Sequence, residues 1–241
     1  ANIEALHHFD RALDLLKHLP QGPERDALEL ELLIARGAPL QSVKGYASDE
    51  MEQNYLRARD LLQENSRPVH QFHTARGLWV FHMVREKLPD ALGLAENLLS
   101  LAIREQSSDL LIEAHHVLGA TYFFLGRFDE ARTHLLNAKS LDDPNHHRTL
   151  ALLFGQDPGI TVRILLAWTL WILGEVEQVE TLALEALNKA RELKHPFTLA
   201  FALMSLSWIY SAVRNSSRTL DLANEAIAVS TQYSFELALA S

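Results

Sequence analysis

Cysteine is absent from the 241 residues. That excludes disulfides and any cysteine-ligated zinc site. Glycine and proline are scarce, at 10 and 8 residues, which favours long helices over a strand-and-turn protein. Basic residues are outnumbered, 22 against 31 acidic, for a formal net charge of -9. This argues against nonspecific binding to nucleic acid or to an anionic membrane surface, while leaving room for a local basic patch. No apolar run nears the roughly 20 residues that a membrane helix requires. The opening residues, ANIEALHHFDRALDLLKHL, are amphipathic with both charge signs and lack the pattern of a secretory signal. Phosphate-loop, HExxH, nucleophile-elbow and dinucleotide fingerprints are all missing, so no cofactor is expected. The chain lacks a starting methionine and enters a helical pattern at once, which reads as a piece of a longer, cytoplasmic protein.

What is present is apolar and periodic. Hydrophobic residues make up 48% of the chain, enough for a large core. Residues 113–138, EAHHVLGATYFFLGRFDEARTHLLNA, carry the clearest signal. Leu118-Gly119, Tyr122, Gly126, Ala131, Leu135 and Ala138 follow the two-helix tetratricopeptide (TPR) pattern, with His115 where that pattern has tryptophan. Small residues at Gly119 and Ala131 predict that two helix backbones meet there. Fainter copies surround Leu78, Leu166 and Leu206, with Trp79, Ala167 and Ser207 at the site of Gly119. The four sites are 40, 48 and 40 residues apart, longer than the usual period of about 34. The expected fold is all-α: a TPR-like α-α superhelix of antiparallel helix pairs forming one domain over residues 1–241. A lone helix near 2–18 is followed by pairs near 23–37 with 49–64, 69–85 with 89–105, 108–125 with 128–141, 159–174 with 176–193, and 196–213 with 216–233. Two interruptions stand out. Residues 37–48, GAPLQSVKGYAS, separate two helices, with Ser48 as N-cap of the second. Residues 142–159, DDPNHHRTLALLFGQDPG, form an inserted connection in which Leu150–Phe154 is one turn or a short helix.

Several segments support a narrower resemblance. Lys44-Gly45-Tyr46-Ala47 with Glu50 and Tyr55, the GQDPG of residues 155–159, Leu170-Trp171-Ile172-Leu173-Gly174, and His195-Pro196-Phe197-Thr198-Leu199-Ala200-Phe201-Ala202 occur in this order. Together they resemble the C-terminal TPR-like region of large bacterial signalling proteins, over residues 5–238. There the region follows a P-loop ATPase module of the signal-transduction (STAND) type, often with an adenylate/guanylate cyclase domain and in other members a kinase or helix-turn-helix domain. Neither an ATPase nor a cyclase signature is present here. The resemblance implies a sensor or interaction role in signal transduction, not the activity of those domains.

Counting from the small-residue site places a face of first helices toward a partner. His73, Arg76, Val80 and Met83 fall on it, followed by Glu113, His116, Ala120 and Phe123, then Thr161, Ile164, Trp168 and Trp171, and finally Leu199, Ala202 and Ser211 near Trp208. Aromatic anchors with a few polar groups suit a peptide groove. The tryptophans are equally compatible with core between repeats. The insertion offers His146, His147, Arg148, Gln156 and Asp157 as a ligand-contacting loop. Its competing and stronger reading is a structural plug, with Asp157 capping the helix that starts at Pro158. The 12 histidines allow zinc only if ligands such as His73, Glu113 and His116 gather from separate repeats.

These readings converge on a non-enzymatic repeat module that binds a protein segment or another domain of its parent chain. A small-molecule sensor with a pocket near the insertion is the alternative. A metal-dependent hydrolase ranks last.

Overall fold

The computed structural model describes residues 2–46, 48–63, 66–233 and 235. Among the described residues the chain forms twelve α-helices and no strand. They are α1 (Asn2–Leu16), α2 (Pro23–Lys44), α3 (Asp49–Leu61), α4 (Pro68–Val84), α5 (Leu88–Glu105), α6 (Ser108–Phe124), α7 (Phe128–Ser140), α8 (His147–Phe154), α9 (Pro158–Ile172), α10 (Val179–Leu193), α11 (Pro196–Ala212) and α12 (Ser216–Tyr233). Packing divides the chain into two compact units, Ala1–Leu110 and Leu111–Ser241. Ala47 of the Lys44-Gly45-Tyr46-Ala47 segment lies outside the described residues, as do residues 64 and 236–238.

Five of the eight prolines start helices instead of breaking them. Pro23, Pro68, Pro89, Pro158 and Pro196 all lie in first turns, where the missing N–H has no intrahelical partner to lose. Ser48 accepts from Met51 N at 3.4 Å as N-cap of α3, and Asp157 accepts from Ile160 N at 2.8 Å as N-cap of α9.

In the first unit α2 packs on α3 and α4 on α5, while α3 and α2 both lie against α4. The expected break at residues 37–48 is corrected here. Helix α2 runs on through Pro39 to Lys44. A mid-helix proline costs about 3 kcal/mol, and burial on the far side offsets it: Leu40 packs with Leu6, Met51, Tyr55 and Leu78. Tyr55 is the wedge of this unit. A Cβ added to Gly37 of α2 or to Gly77 of α4 would overlap its ring, so two helices close on one aromatic through their glycines. Burial raises the pKa of the Tyr55 phenol, with the Arg76 charge partly opposing that rise. Trp79 is buried at the repeat site that Gly119 fills elsewhere; in its repeat the close approach has moved to Gly77.

In the second unit α9 packs on α10 and α11 on α12, and each pair meets the next through α7 on α9, α10 on α11 and α9 on α11. Residues 150–154 belong to α8, which packs on α9 at an 85° bend. Gly119 faces Leu135, not Ala131 as its spacing suggested. An added Cβ would stand 2.6 Å from Leu135 Cγ and 3.4 Å from its backbone nitrogen. Ala131, one turn before Leu135 on α7, is fully buried.

Candidate functional site

The inserted connection folds into a buried polar knot. Asp157 caps α9 with one carboxylate oxygen and accepts from His147 Nδ1 with the other, at 2.8 Å. The opposite side of the imidazole faces Lys189, whose ammonium donates to Nε2 at 3.2 Å. Asp142 closes the knot. Its Oδ2 lies 2.7 Å from Arg163 Nη1 and 3.5 Å from Lys189 Nζ. Arg163 also donates to the Gly159 carbonyl at 2.7 Å and to Glu185 at 3.1 Å. Gly159 is required: a Cβ there would overlap Asp142 and stand 2.9 Å from His147 Cε1.

Two of the segments that carried the family resemblance meet at this knot. Asp157 N donates to Thr198 Oγ1 at 3.4 Å. Thr198 in turn donates to His195 Nδ1, through its hydroxyl at 2.8 Å and its N–H at 3.3 Å. Burial lowers the pKa of His195, and the Asp157 charge only partly opposes the shift; a lowered pKa suits a ring nitrogen that accepts. The GQDPG and HPFT segments are thus one junction between α9 and α11.

His147, Gln156 and Asp157 turn inward and are buried, which corrects their reading as a ligand-contacting loop. For Asp157 the reason is electrostatic: a carboxylate in a low-dielectric interior persists only when paired and hydrogen-bonded, and it accepts from His147 and from the first turn of α9. His146 is half-buried and Arg148 exposed. Asp142, Arg163 and Lys189 escaped sequence reasoning because 21 to 47 residues separate them along the chain.

The expected partner-binding residues divide by burial. Arg76 and His116 are 6% exposed and Glu113 1%. Arg76 donates to Gln41 at 3.3 Å and lies 5.9 Å from the Trp79 ring. Glu113 and His116 bond one another at 3.0 Å. These three are interior groups, which corrects their expected presentation on an open face. His73, Met83, Phe123, Trp168 and Trp171 are half-buried. Trp168 and Trp171 meet edge to face at 5.8 Å, an arrangement that fixes both rings. Trp208 is 49% exposed. By the repeat register Trp168 and Trp208 each follow the small-residue site by one position, so they occupy equivalent places on α9 and α11, which pack together.

His115 and His134 join α6 to α7, Nδ1 to Nδ1 at 2.9 Å, with Tyr122 stacked on His134. Burial lowers both histidine pKa values, and for His115 the neighbouring His134 adds to the effect. Among the described residues no group of three or more His, Asp or Glu side chains converges on a point that could hold a metal, and no single helix is long and apolar enough to cross a membrane.

Comparison with known proteins agrees with this architecture. A tetratricopeptide repeat model matches residues 112–136 and 161–185, the α6–α7 and α9–α10 pairs. No curated protein matches the chain. Three solved structures share the fold. BtubC from P. vanneervenii is 14% identical, with 96% of this chain and 92% of that one covered and a TM-score of 0.61. Apo RapI is 9% identical, with 98% and 67% covered and a TM-score of 0.55. A putative kinesin light chain from Podosopora anserina with nearly identical TPR-like repeats is 17% identical, with 89% and 98% covered and a TM-score of 0.50. The chain has an all-α, TPR-like helical-repeat fold.

Proposed function

We propose that this chain is a non-enzymatic interaction module that binds a protein segment on the first-helix face of its second unit. The observation that supports this reading is the half-exposed Trp168–Trp171 pair on α9, continued in register by the exposed Trp208 on α11. Fixed, partly exposed aromatics supply contact area at low entropic cost, and such residues dominate binding energy at protein interfaces. Repeat scaffolds of this kind present extended surfaces suited to recognition. The buried knot around His147 and Asp157 positions α9 against α11, the helices that carry the tryptophans.

In the finer form of the proposal, the bound segment belongs to another domain of the parent chain, an ATPase or nucleotide cyclase of the signalling type that the sequence resembles. Regulation then follows from differential affinity: a face that holds one state of that domain more tightly shifts the population toward it. A Trp168→Ala/Trp208→Ala variant tests the face. It keeps its circular dichroism spectrum and loses at least about tenfold in calorimetric affinity for the separately expressed ATPase module. Unchanged affinity moves binding off this face.

A further inference from the structure

Helices α9 and α11 pack together, and their chemistry narrows what the tryptophan face can hold. Between them they carry one charged residue, Arg163, and it is buried. Four residues of α9 are not buried: Leu165, Trp168, Trp171 and Ile172. All are large and apolar. At about 100° per residue they lie within roughly a third of the helix circumference, so they form one stripe. On α11 the residues Phe201, Trp208, Ser211 and Ala212 form a second stripe. Trp168 and Trp208 hold the same repeat position. One turn on, the register sets Trp171 and Ile172 of α9 against Ser211 and Ala212 of α11. A bulky ridge therefore borders a strip of small residues, with room there for a large apolar side chain.

Hydrogen-bonding groups are as scarce on these stripes as charges. The Ser211 hydroxyl is their one side-chain acceptor, since an indole N–H donates only. An extended peptide brings one N–H and one C=O per residue. Laid along the stripes, its N–H groups would lose water and find no acceptor. A helix satisfies its own backbone and offers side chains alone. A charged side chain pressed onto the stripes would be desolvated with no counter-ion beside it. We propose, resting on the reading of this face as the binding surface, that the bound segment is an amphipathic α-helix whose contacting stripe is uncharged. Large apolar side chains at i, i+3 or i+4, and i+7 make the contact, and a central one fills the strip over Ser211 and Ala212. A lipid surface fits less well, because the chain carries a net charge of -9 and neither helix offers an exposed Lys or Arg to a phosphate headgroup.

A display library of random peptides, long enough for about four helical turns, tests the assignment when panned on the full chain. Clones that no longer bind the Trp168→Ala/Trp208→Ala variant are sequenced. They are expected to carry apolar residues at i, i+3 or i+4, and i+7, with no proline between them. A synthetic peptide of the consensus sequence then serves as the calorimetric probe. Proline at a position pointing away from the stripe should weaken it at least about tenfold, because it breaks the helix without touching a contact. Lysine within the stripe should do the same. Ser211→Glu puts a charge on the face at an exposed site and should weaken the unaltered peptide to a similar degree. Clones that tolerate proline, with anchors at alternate residues, overturn the helical assignment and leave the face as a binding surface. Charged anchors overturn the uncharged stripe in the same way. Absence of any clone that depends on the tryptophans overturns the face itself. Sedimentation with phosphatidylcholine vesicles, or a concentration-dependent dimer, that Ser211→Glu abolishes gives the face to lipid or to a second copy and overturns the proposal.

Discussion

Gly77→Ala should destabilise the first unit, although the same change in an ordinary helix is stabilising. In a helix interior, alanine is favoured over glycine by about 1 kcal/mol. Against that stands the Tyr55 ring. The new methyl would fall about 1 Å inside normal contact distance of three ring atoms. The ring cannot retreat toward α2, because its hydroxyl already fills the space where Gly37 lacks a side chain. Overpacking of a rigid, fully buried group costs about 1–3 kcal/mol, and a pinned aromatic belongs at the upper end. The net loss is about 1–2 kcal/mol, or roughly 2–8 °C in melting temperature for a chain of this size. The decisive measurement is a double-mutant cycle followed by thermal and urea unfolding. Tyr55→Ala removes every ring atom that the new methyl would meet, opens a cavity and is itself destabilising. In that background the clash is gone, so Gly77→Ala should stabilise by up to about 1 kcal/mol. A sign reversal between the two backgrounds is the expected signature. If Gly77→Ala raises the melting temperature of the unaltered protein, or shows no coupling to position 55, the wedge does not hold the two helices together.

Asp157→Ala should cost about 2–4 kcal/mol, the sum of a lost N-cap and a buried imidazole left without its acceptor. Asp157→Asn keeps the cap and should cost less; equal melting curves for the two variants would refute the dual role. The His115–His134 contact predicts pH dependence. Both pKa values are lowered in the folded state, so below the unfolded value of about 6.5 the unfolded chain binds more protons. Stability from this pair is fully present above that pH and declines as pH falls through the folded values. Melting temperatures between pH 8 and 5 should show a shallower decline in a His134→Gln variant, and an identical slope would count against the pair.

Legibility in the sequence tracked the range of the interactions. Ser48 and Asp157 were readable as caps because a cap joins residues three apart. The α6–α7 pair was readable because small and large residues recur at helical spacing. The length of α2 was not, since local signals at Gly37 and Pro39 indicate a stop and only the packing of Leu40 and Tyr55 overrides them. His147 was visible as a histidine in an insertion, but its burial depends on Arg163 and Lys189 arriving from other helices.

The helical class, the absence of strands among the described residues, the pairing of helices and the positions of most helix starts follow from the sequence by itself. They rest on periodicity, proline placement and capping, all of which act within one or two turns. Tertiary structure alone decided which polar residues are interior and which tryptophans are exposed. It buried Arg76, Glu113 and His116, and left Trp208 open. Burial and charge pairing depend on where distant helices lie in space, and nothing in local spacing specifies that.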